Sequence, residues 1–227
     1  MRFSRLALPC AALVLLAHVV PLAAQAQSAT QADTAPAKNL SLHFDPAGTQ
    51  IRFTVKSLLH DVRGTFKLKG GALAIDPKSG LAQGEILMDA TTGTTHNKSV
   101  DERLQKEVLE SHRYPSIFFH AEHIEGELPR SDGAADVTAV GTMNIHGADH
   151  PQQIRLHVVR SGSNFTATGH FTVPYVAWGM KDPSNGLRHY SKDAAVEVNA
   201  KGTLTTVGIT HETPETQSSD SDEEPGK

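Results

Sequence analysis

The chain has 227 residues, a formal charge of -4 at pH 7 and a single cysteine, Cys10. That length suits one domain with extensions. The near-neutral balance argues against a nucleic-acid binder, which needs a clear excess of Lys and Arg to meet phosphates. One cysteine excludes a disulfide framework and a thiolate metal site.

Arg2 and Arg5 precede an apolar run from Leu6 to Val20, and Ala24-Gln25-Ala26 supplies a small-x-small cleavage pattern, so residues 1–26 read as a signal peptide. The run is too short for a convincing membrane span. Cys10 lies at its start rather than behind it, so it is not read as a lipid anchor and leaves with the peptide. An exported, periplasmic protein is expected. Residues 27–38 are small and polar without a period and read as a flexible leader. Losing Arg2 and Arg5 takes the charge to -6, and -5 of that belongs to residues 209–227, read as a disordered acidic tail. The domain proper is then 39–208.

Within it the period is two. Leu40, Leu42 and Phe44 alternate with Ser41 and His43, and Ile51, Phe53 and Val55 alternate with Arg52 and Thr54. The pattern continues through Phe66, Leu68, Leu73 and Ile75. After the turn Pro77-Lys78-Ser79-Gly80 it resumes at Gly84, Ile86, Met88 and Ala90.

From Asn97 the spacing changes. Val100, Leu104 and Val108 recur every four residues with charged residues between them, which predicts an amphipathic helix of about three turns. Ser99 with Glu102 fits a capping box, and Tyr114-Pro115 is the expected stop. One short helix in a β chain reads either as a lid over a barrel end or as a plain surface crossover.

Strands are expected again over Ile117–Ile124, Val137–Ile145, Ile154–Val158, Phe165–Val173 and Val196–Leu204, joined by short polar turns. Eight or more antiparallel strands suggest an all-β, closed up-and-down barrel, because closure removes exposed edges. A two-sheet sandwich competes. Gly64, Gly84, Ala90, Ala121, Ala139, Gly141, Ala167 and Gly169 share the parity of the large apolar residues, which suggests a hollow interior. The alternative is that the glycines only mark bends. The expected ligand-facing wall is Phe53, Val55, Phe66, Ile86, Met88, Phe119, Met143, Phe171 and Trp178. Trp178 is included because Val173–Met180 gathers Trp, Tyr and Met at a strand end, where a pocket mouth or a plug would sit.

No catalytic signature stands out: there is no G-x-S-x-G elbow, H-E-x-x-H, P-loop or G-x-G-x-x-G. Histidine is abundant, at 13. His120 and His123, three apart on a strand, face opposite sides unless a bulge intervenes, whereas His146 and His150 flank a tight loop and could converge. A histidine-based metal-binding or stress-response protein is therefore the rival reading, although no metal site is assigned.

Three groups of residues resemble the YceI family. They are Ile51-Arg52-Phe53-Thr54-Val55-Lys56 with Val62-Arg63-Gly64-Thr65-Phe66, then Asp101-Glu102-Arg103-Leu104 with Tyr114-Pro115-Ser116-Ile117-Phe118-Phe119, and Gly141-Thr142-Met143-Asn144-Ile145-His146-Gly147. The resemblance implies an eight-stranded antiparallel lipocalin-like barrel with one short α-helix inserted between strands. It also implies a periplasmic, non-enzymatic protein that holds a polyisoprenoid, isoprenoid quinone or other long-chain amphiphile and needs no cofactor. The segment Val108–Arg113 departs from the family's Phe-rich pattern. Homodimerisation is left open.

Overall fold

A computed structural model describes residues 38–208. Within them lie strands β1 (Lys38–Phe44), β2 (Gln50–Ser57), β3 (Val62–Ile75), β4 (Ala82–Thr94), β5 (Ser116–Glu125), β6 (Gly133–Ile145), β7 (Ala148–Ser161), β8 (Asn164–Val173) and β9 (Tyr190–Gly208). The expected signal peptide, all of the leader but Lys38, and the acidic tail lie outside the described residues.

Each strand from β2 to β9 pairs antiparallel with the next, and β9 returns to β2 through Phe53↔Val196, so the sheet closes into a barrel rather than a sandwich. The nine strands fill eight positions. Leu42 of β1 pairs with both Leu73 and Leu204, while Phe53 of β2 pairs with Gly64 and Val196. Thus β1 and β2 lie end to end in one stave. The break between them is held by the Asp45 amide donating to the Lys201 carbonyl at 2.7 Å and by the Lys201 amide donating to Thr49 Oγ1 at 3.1 Å.

Alternation produces the core. On β6, Val137, Ala139, Gly141, Met143 and Ile145 are buried, and their neighbours are not. Outward positions carry Arg52, Lys67, Glu85, Glu122, Arg155, Glu197 and Lys201, all exposed. An apolar inside and a charged outside is the reverse of a membrane-spanning barrel. Among the described residues, no helix is long and apolar enough to cross a membrane.

The helical segment departs from expectation in two ways. Helix α1 (Lys98–Arg103) is capped by Asn97, whose side chain accepts from the Ser99 and Val100 amides; Ser99 Oγ itself donates to Asn97. The Ser99/Glu102 capping box does not form. Leu104–Val108 then widens into a π-helical turn in which the Leu109 amide donates to the Leu104 carbonyl at 2.9 Å. That one-residue insertion sets Leu109 above Leu104, so Val108 and Leu109 are both buried where an α-helix would turn one of them outward. The helix therefore stops before Tyr114-Pro115, and Glu110, in the left-handed region at φ 45, reverses the chain.

Candidate functional site

Strands β2, β4, β6 and β8 all run toward the helical end of the barrel. Their inward residues Ile51, Met88, Met143 and Phe171 form a single layer across the interior, one from each alternate strand. This waist divides the inside into two chambers, which both touch all four residues. The chamber nearer the helix has a volume of about 140 Å³ and the other about 110 Å³. An apolar cavity of about 150 Å³ stays dry and accepts an aromatic ring. Each chamber thus suits a ring or a few methylenes, and a longer chain must pass the waist. Two of the four waist residues are methionines, the most adaptable apolar side chains.

The helix is a lid. Val100, Leu104, Val108 and Leu109 line the near chamber from above, which a surface crossover would not do. Three polar ties fix it. Asp101 accepts from Thr94 Oγ1 at 2.7 Å and from the Thr95 amide and hydroxyl at 2.6 Å each. Gln105 Nε2 donates to the Gly93 carbonyl at 2.9 Å, and Lys181 meets Glu107 at 2.7 Å. Burial pushes the Asp101 carboxyl up, but the Thr95 and Thr94 hydrogen bonds outweigh it and hold the carboxyl below its ordinary value.

Tyr175 and Met180 complete the near chamber; neither stood in the expected wall, although their segment was expected at a pocket mouth or plug. After Val173 the chain winds into turns, with the Trp178 amide donating to the Pro174 carbonyl and the Met180 amide to the Tyr175 carbonyl, both at 3.0 Å. The winding points Tyr175 and Met180 inward. The Tyr175 hydroxyl donates to the Ser191 carbonyl at 2.7 Å, and burial pushes its pKa up to about 12. It is a structural phenol, protonated at neutral pH.

Of the expected wall, Phe53, Val55, Phe66, Met88, Met143 and Phe171 line the near chamber, and Ile86 and Phe119 line the far one. Trp178 lines neither. The same winding lays its half-buried indole on His150, the rings 4.2 Å apart, beside the core rather than in either chamber.

The inward glycines need a correction. They do not open the interior. A Cβ on Gly64 would sit 2.3 Å from the Phe53 ring, and one on Gly84, at φ +125, would sit 2.1 Å from the Ala72 carbonyl oxygen. These glycines let side chain or neighbouring backbone come close. Ala139 and Ala167, by contrast, do line the far chamber.

His146 and His150 each stand against an aromatic ring, Tyr114 and Trp178 respectively. His146 lies against Tyr114, with ring centroids 4.6 Å apart, and its Nε2 is 3.8 Å from Glu110, too far for a hydrogen bond. A bulge between Ala121 and His123 does intervene after His120, yet His120 sits by Glu85 and Phe118. Among the described residues, no group of three or more His, Cys, Asp or Glu side chains is placed to hold a metal.

A closed antiparallel barrel with an apolar, lidded interior belongs to the class of folds that enclose small apolar ligands. The model of the YceI-like domain matches residues 42–202, and the chain belongs to that family. Among solved structures it is similar to Burkholderia cenocepacia BcnA, at 14% identity and a TM-score of 0.57, covering 70% of this chain and 98% of that one. A polyisoprenoid binding domain from Saccharophagus degradans matches at 16% identity and a TM-score of 0.53, over 75% and 100% of the two chains. The Campylobacter jejuni YceI protein matches at 14% and 0.52, over 64% and 86%. No curated protein matches the sequence.

Proposed function

We propose that the protein is an exported, non-enzymatic carrier that holds a polyisoprenoid, an isoprenoid quinone or another long-chain amphiphile inside its barrel. The observation that carries this reading is the pair of apolar chambers meeting at the Ile51–Met88–Met143–Phe171 waist beneath a helical lid. A chain threaded through both gains roughly 0.8 kcal/mol per buried CH₂, so binding needs no charged anchor. The polyisoprenoid binding described for the Saccharophagus degradans domain supports the same ligand class, and the Arg2, Arg5 and Leu6–Val20 pattern supports export.

Native mass spectrometry of protein purified from its own host tests the reading. A mass excess that organic extraction removes, with a hydrocarbon-chain compound in the extract, is the expected result. An unladen protein that also fails to retain added geranylgeraniol would overturn it.

A further inference from the structure

Leu58, Leu59 and Leu187 are 79%, 73% and 90% exposed. The first two form the hairpin tip between β2 and β3, and the third tops the loop from β8 to β9. Ser57 pairs with Tyr190, so both loops rise from the same edge of the barrel, at the lid end. The bases of these loops supply Val55, Val62, Pro183 and Tyr190 to the near chamber. The most solvent-exposed leucines thus crown the mouth of the cavity. Other exposed large apolar residues, Leu81, Val159 and Val207, are less exposed and lie elsewhere on the surface.

Charge follows the leucines. Residues 56–63 and 181–193 carry Lys56, Arg63, Lys181, Arg188 and Lys192 against Asp61, Asp182 and Asp193, and Lys181 is tied to Glu107 of the lid. Arg188 and Lys192 make no ion pair among the described residues, while Lys56 and Arg63 share Asp61. The lid beside them bears both signs, so the positive excess sits on the leucine-bearing loops of a chain whose total charge is negative.

We propose that this rim docks on an anionic lipid bilayer, with Leu58, Leu59 and Leu187 inserted among the acyl chains and the loop cations at the headgroups. A few apolar tips flanked by basic side chains match an interface between lipid and water. Three leucines are too few for a stable protein interface, which buries about 800 Å² on each partner. Docking of this kind goes beyond carriage of a ligand, because it sets the chamber mouth against the phase from which an apolar molecule would leave.

Sedimentation with vesicles tests the proposal. The wild-type protein is expected to pellet with phosphatidylcholine vesicles containing phosphatidylglycerol, less with phosphatidylcholine alone, and less again as salt rises. Leu58→Ser, Leu59→Ser and Leu187→Ser combined should weaken partitioning by about tenfold or more, since each leucine's burial is lost. Geranylgeraniol retention by the same variant, read by native mass spectrometry, reports on the cavity separately. Equal partitioning of wild type and variant overturns the proposal. So does sedimentation velocity showing a wild-type dimer that the triple variant reduces to monomer, because the leucines would then cover a second copy of the chain.

Discussion

The imidazole of His150 lies flat on the indole of Trp178, the ring planes 2° from parallel. Burial under the indole lowers the His150 pKa from its ordinary 6.5, outweighing the opposing charge of Asp149, and Nε2 finds no hydrogen-bond partner among the described residues. Since the folded value is depressed, the unfolded chain takes up the proton first as pH falls. This contribution to stability is complete above about pH 6.5 and is lost below it, toward the folded value. Thermal denaturation should show the wild-type midpoint falling relative to His150→Gln as pH drops through that window. Parallel curves would remove His150 from the account.

Asp101 holds the lid to the end of β4. Asp101→Asn weakens three charge-assisted hydrogen bonds and should cost about 1–2 kcal/mol, since the site is only partly buried. Hydrogen exchange over residues 98–108 should quicken more than exchange in β6. With the folded carboxyl held below its ordinary 3.8, its stabilisation is present above that pH and disappears as pH falls through the folded value. The variant should lack that part of the acid transition.

Gly64 and Phe53 are matched in size. Gly64→Ala should destabilise by about 1–3 kcal/mol, because the new methyl meets both the Phe53 ring and the Thr94 carbonyl oxygen. Phe53→Leu should recover part of that loss in a double-mutant cycle. Gly84→Ala is expected to be worse, because a rigid carbonyl replaces the movable ring and the backbone stands at positive φ. Chemical denaturation gives the order.

Met143 is 2% exposed and belongs to the waist. Met143→Ala should cost about 2–4 kcal/mol through the cavity it leaves. It should also join the chambers, so geranylgeraniol uptake followed by stopped-flow should become faster even as the protein weakens. An unchanged uptake rate would mean the waist is no barrier.

The barrel was legible because alternation over Val137–Ile145 or Phe165–Val173 leaves one consistent dry face, and closure is the simplest fate for so many paired edges. The π-turn was not legible. Val100, Leu104 and Val108 satisfy a helical period by themselves, and the widening between Leu104 and Leu109 shows only in the Leu109–Leu104 hydrogen bond and the burial of Leu109 beside Val108. The apolar cluster Val173–Met180 located a pocket wall without telling which of its residues would face in: the winding between Pro174 and Gly179 sends Tyr175 and Met180 to the chamber and Trp178 to His150. The glycines misled in sign, since parity locates a small residue without telling whether the space beside it is empty or filled. The waist, finally, needs strand stagger, which periodicity along a single strand does not contain.

Lys38 faces Gly208 across the β1–β9 ladder, at the pole opposite the lid. Both ends of the folded body therefore share one corner. A short peptide joining them would give a circular permutant with an intact β1–β9 ladder, and a fusion partner or affinity handle attached at either end would hang from the base and leave the crown of the barrel unobstructed.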